Sequence, residues 1–169
     1  MRNRLTIVPG LATVGVSMRG WILALAAMAG SSTAAAQTIA MPIDKGFWIN
    51  ATGTCASVTN GYAFDGKRWG AVYYYGPNAS MGPVVELEAI GRTTVLKNGF
   101  TNMQLGPTEG VGYFHVKSLS PDRMMLRTGA PGPEGIQVMD DVLIRCNFAS
   151  LSPKMQSAMR RFVPALVAR

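Results

Sequence analysis

The sequence predicts a mainly β protein: a small antiparallel meander of about eight strands, closed as a barrel or folded as a sandwich, with one amphipathic helix near its C-terminal end. Three observations predict it. Between residues 46 and 146, short runs rich in β-branched and aromatic residues alternate with Gly, Pro, Asn and Asp turn signals at roughly the 8–12-residue spacing of small β-folds. No helical period interrupts them. From Leu151 onward the period changes to that of a helix.

The chain opens with a segment that reads as an export signal over residues 1–36. Arg2, Arg4 and Arg19 supply a positive region and Trp21–Gly30 a short apolar one. Ala34-Ala35-Ala36 forms a small-residue cleavage site before Gln37. The apolar run is too short for a membrane-spanning helix. The part beginning at Met18 is already a complete signal, which predicts Met18 as the true start. Residues 37–169 then form a single β-rich domain, placed in the periplasm or outside the cell, with no membrane span.

Gln37–Lys45 is an extended leader holding Pro42. Gly46–Thr52 reads as the first strand, with Phe47, Ile49 and Ala51 on one face and Trp48, Asn50 and Thr52 on the other. Gly46-Phe47-Trp48 resembles the Gly-x-Trp that opens lipocalins, whose barrels also end with a helix. That three-residue resemblance does not carry the family over, but it favours a barrel with an internal cavity. Gly53–Gly61 is a loop holding Cys55.

Tyr62–Gly76 reads as a β-hairpin, with Asp65-Gly66 suited to a type I′ turn. Trp69, Ala71, Tyr73 and Tyr75 share one face of its second arm; Arg68 and Tyr74 lie on the other. Gly76–Pro83 is a loop, Val84–Ile90 a strand, and Arg92–Leu96 and Phe100–Leu105 flank a Lys97-Asn98-Gly99 turn. A turn is expected over residues 106–110. Gly112–Leu119 and Arg123–Arg127 flank Ser120-Pro121-Asp122, Gly129–Gly135 is a Pro-rich loop, and Ile136–Met139 and Asp141–Cys146 close the series. Ser152 then caps a helix with Pro153 at its first position, and Leu151, Met155, Met159 and Phe162 form its apolar stripe. Pro164 ends it. Such a helix packs outside the sheet or caps an open barrel end.

Charge and side-chain chemistry exclude several functions. The net charge of +7 falls to +4 when Arg2, Arg4 and Arg19 are set aside. The remaining basic residues are scattered and form no stripe interleaved with aromatics, so nucleic acid is not the expected partner. Cys55 and Cys146 are the two cysteines, and an exported chain is expected to join them in one disulfide. The single histidine, His115, has no nucleophile or ligand partner near it in sequence, which argues against triad catalysis and a zinc site. Glu86 and Glu88 read as an ordinary solvated strand face rather than an acid–base pair. The dispersed methionines read as core filling rather than a copper site. No cofactor or metal is expected.

The expected function is therefore binding rather than catalysis. The first expectation is recognition of a protein or envelope component, as an inhibitor or interaction module, through loops such as Gly76–Pro83 and Gly129–Gly135. Arg68 and Tyr74 are the candidates for surface contact. The alternative is a carrier whose interior, lined by Trp69, Tyr73, Tyr75, Phe47 and Leu87, holds a small apolar ligand. A hydrolytic enzyme ranks third.

Overall fold

The computed structural model describes residues 40–106 and 113–167. The export segment, its cleavage site, the start at Met18 and the turn over residues 107–110 lie outside the described residues. Eight strands follow one another around a closed antiparallel barrel: β1 (Gly46–Asn50), β2 (Asn60–Phe64), β3 (Arg68–Tyr75), β4 (Met81–Val95), β5 (Thr101–Leu105), β6 (Tyr113–Ser120), β7 (Arg123–Gly132) and β8 (Gly135–Cys146). Each pairs with its sequence neighbour, and β8 closes on β1 with Phe47 opposite Cys146 and Asn50 opposite Leu143. The fold is mainly β, as the alternation predicts, and of barrel and sandwich it is the closed barrel.

Two pairs of expected strands are continuous. Val84–Ile90 and Arg92–Leu96 merge into β4, which bends at a bulge between Ile90 and Arg92. Ile136–Met139 and Asp141–Cys146 merge into β8, because Asp140-Asp141 stays in register with β7 rather than turning. The hairpin after β2 also differs from a type I′ turn. The Asp65 N–H donates to the Arg68 carbonyl, so Gly66 and Lys67 are the central residues, and of these only Gly66 has positive φ, at 97°. A turn needing positive φ at its first central position alone is what Gly supplies there. Asp65 instead uses its carboxylate, accepting from the N–H groups of Lys67 and Arg68 at 2.9 and 2.7 Å.

The wall separates two apolar clusters. All eight strands contribute to the interior one, among them Trp48, Phe64, Trp69, Ile90, Met103, Val116, Met124, Leu126 and Leu143. Ile43 and Met41, ahead of β1, pack against it and close the lower end. There Arg145 pairs with Asp122 at 2.6 Å and Asp44 at 3.2 Å. The second cluster is outside. Helix α1 (Pro153–Phe162) lays Met155, Ala158 and Met159 over Phe47, Ile49, Ala63 and Val72. Ser152 caps it, its hydroxyl accepting from the Met155 N–H at 3.2 Å. The Cys55–Cys146 disulfide ties the β1–β2 loop to the end of β8.

One expectation about faces is reversed. Phe47 and Leu87 are expected from apolarity alone to line the interior with Trp69. Phe47, Ile49, Val85 and Leu87 instead point outward beneath the helix. The helix, not the barrel interior, is the apolar partner those faces require.

Candidate functional site

Strands of unequal length leave the upper half of the barrel incomplete. β1 has 5 residues and β8 has 12, so β8 overhangs its neighbour. The last backbone hydrogen bond across this seam, among the described residues, is the Ala51 N–H donating to the Val142 carbonyl at 2.8 Å. Beyond it, Gly135–Asp141 pairs only with β7 among the described residues. Backbone groups of alternate residues point to the same side of an antiparallel strand. The N–H and C=O groups of Ile136, Val138 and Asp140 therefore face the open edge that Val142 begins. Their apolar neighbours are bare: Ile136 is 51%, Val138 54% and Met139 59% exposed. Arg127 on β7 holds Asp140 through two hydrogen bonds of 2.7 Å and keeps its carboxyl below the usual range.

The overhang also bounds a cavity of about 290 Å³ at the barrel mouth. Its lining includes Asn50, Asn60, Tyr62, Ala71, Tyr73 and Asp141. Register explains the grouping. Tyr62 lies opposite Trp48 and Ala71, Asn60 opposite Tyr73, and Asp141 opposite Leu126, all on the interior side. The Tyr62 ring stacks on Trp69 with centroids 5.4 Å apart and planes 11° apart. Burial, with the nearby Asp141 charge, pushes the Tyr62 phenol above its ordinary value. The Tyr73 hydroxyl donates to Glu86 at 3.0 Å, and that bond raises its pKa as well. Asp141 accepts from the Asn50 side-chain amide at 3.1 Å.

The residues singled out from sequence are scattered. Trp69 is fully buried in the lower core, and its indole N–H, like that of Trp48, meets no acceptor among the described residues. Tyr73 lines the mouth and Tyr75 stands at the rim, 46% exposed. Phe47 is on the other side of the wall, under the helix, and so lines no interior space. Tyr74, expected at the surface, donates its hydroxyl to the Lys154 carbonyl at 3.1 Å, and the Lys154 ammonium lies 4.1 Å from its ring centre. The helix occupies it. Arg68 is partly exposed but pairs with Asp65 at 2.7 Å at the lower turn, away from the rim.

Glu86 and Glu88 sit opposite Ala71 and Trp69, on the interior-facing side of β4, and both are exposed to solvent, as in the solvated strand face expected. His115 is on the outer wall, stacked on Tyr113 at 4.4 Å and near Phe100 at 6.3 Å. Burial, and then the Arg127 charge, lowers its pKa. Among the described residues, no three His, Cys, Asp or Glu side chains converge as a metal site would require.

Sequence reasoning missed Asn50, Asn60, Tyr62 and Asp141, and the free edge of β8. The alternation of Asn60, Tyr62 and Phe64 was available. The overhang was not, because it depends on where β1 stops pairing. No family model, curated protein or solved structure matches this chain.

Proposed function

We propose that this protein is exported and acts by binding, taking an extended segment of a partner protein as an added strand along β8. The observation that carries the reading is the unpaired edge over Ile136, Val138 and Asp140, flanked by exposed apolar side chains. An open edge of backbone donors and acceptors is a template for another strand, and natural sheets usually blunt such edges with charge, proline or a covering element. Here Ile136, Val138 and Met139 are exposed apolar side chains of the edge segment, and its exposed carboxylate, Asp140, is paired with Arg127. Main-chain hydrogen bonds would give affinity and pockets for alternate side chains specificity. The filled lower interior supports this reading over carriage of an apolar ligand, since little room is left around Trp48 and Trp69.

Export is supported by the arginine, apolar and Ala34-Ala35-Ala36 pattern of the first 36 residues and by the Cys55–Cys146 pair. No helix among the described residues is long and apolar enough to cross a membrane. Intact mass of protein recovered from the envelope or medium should place its first residue at Gln37. A photo-crosslinking side chain at Val138 should capture one partner through a contiguous segment, and the same group at Arg160 on the exposed helix face should not. Val138→Pro, which removes an edge N–H, should abolish capture from position 136. Equal capture from both faces, or capture indifferent to the proline, refutes strand addition.

A further inference from the structure

We infer that the barrel mouth is a binding site for a small organic cation bearing N–H donors, an alkylamine or alkylguanidine. The inference does not rest on strand addition at the β8 edge. The cavity is about 290 Å³, the size of a small molecule rather than of a lipid chain bundle. Its chemistry has one sign. The chain carries 16 Lys and Arg against 9 Asp and Glu, yet among the described residues the lining contains the Asp141 carboxylate and no Lys or Arg. Glu86 adds a second carboxylate at its edge through the 3.0 Å bond from Tyr73. The described basic side chains with assigned ion-pair partners, Arg68, Arg127 and Arg145, are engaged elsewhere.

Each wall residue offers what such a cation needs. Tyr62 and Tyr73 present electron-rich rings, and a cation near a ring face is attracted to its quadrupole. Tyr62 is held in place by its stack on Trp69, so little side-chain freedom is lost on binding. Asp141 receives a single bond from Asn50, which leaves lone pairs for a charged donor. The Asn60 amide can accept a further N–H. A neutral polyol would leave the half-buried Asp141 charge uncompensated, and an anion would be repelled by it. A quaternary ammonium would satisfy the rings but leave the amide and carboxylate acceptors unpaired.

The test titrates butylguanidinium into the purified protein while residue-resolved amide shifts and tyrosine fluorescence are followed. Saturable binding is expected at up to millimolar ligand, with shifts centred on Asn60, Tyr62, Tyr73 and Asp141. N-butylurea, of the same shape without charge, should bind at least about tenfold more weakly to the unaltered protein, since losing a charge-assisted pair costs at least about a factor of ten. Asp141→Asn should bring butylguanidinium down to the urea level with the far-ultraviolet circular dichroism unchanged. Equal affinity for the charged and neutral ligands, shifts centred outside the mouth, or no saturation overturns the assignment. The comparison of the two ligands needs no variant, so a misfolded Asp141→Asn cannot rescue it.

Discussion

Asp65 shows how one side chain fixes a turn. Burial alone pushes its carboxyl up, but the N–H groups of Lys67 and Arg68 and the Arg68 guanidinium together hold it below the ordinary value. The folded value thus lies below the unfolded one. The bonds stabilise the fold above the unfolded pKa, and that stability is lost as pH falls through the folded value. Asp65→Ala should cost about 2 kcal/mol at neutral pH, in line with hydrogen bonds to a charged acceptor. Denaturation curves at pH 7 and below about 4 should show the gap between wild type and variant closing in acid. Trp69→Phe should be milder than its buried volume suggests, because the indole N–H has no acceptor among the described residues to lose. Trp69→Ala should cost about 3–5 kcal/mol, read by urea unfolding.

Helix α1 is the clearest case of an element that sequence could place but not orient. Ser152, Pro153 and the stripe of Met155, Met159 and Phe162 were legible as a capped amphipathic helix. What lay under the stripe was not. The outer residues Phe47, Ile49 and Val72 look, in sequence, the same as interior residues, because period-2 alternation says which residues share a face and not which face is inside. In this barrel both faces of β1 are apolar, Trp48 turned inward and Phe47 and Ile49 outward. Phe47 was accordingly assigned to the wrong side of the wall, while Trp69 and Tyr73 were correctly put on one face and Tyr74 on the other, where the helix meets it. Met159→Ala should cost about 2–5 kcal/mol, as for a fully buried methionine. Ser152→Ala should cost about 1 kcal/mol. Both are checked by thermal unfolding, and the larger value belongs to Met159 because the helix is held by packing more than by its cap.

At the scale of the molecule, the barrel is closed below and frayed above. Leader, lower turns and Arg145 ion pairs seal one end; unequal strand lengths open the other. The disulfide spans 91 residues and joins the first loop to the last strand, so it restricts the unfolded chain strongly. Its removal in a Cys55→Ala, Cys146→Ala variant should cost up to about 4–5 kcal/mol on the chain-entropy estimate, measured by chemical unfolding against the oxidised protein. The pairing was legible from a count of two cysteines. The mouth was not, since Asn50, Asn60, Tyr62, Tyr73 and Asp141 come from four strands whose convergence depends on register.

Amide exchange along β8 tests strand addition most directly. In the free protein, Gln137, Met139 and Asp141 should be protected by their bonds to β7, while Ile136, Val138 and Asp140 exchange freely at the open edge. When the partner captured at Val138 is bound, those three amides should become protected and the alternation along Gly135–Asp141 should vanish. Uniform protection in the free protein, or an edge that stays unprotected in the complex, would contradict strand addition along β8.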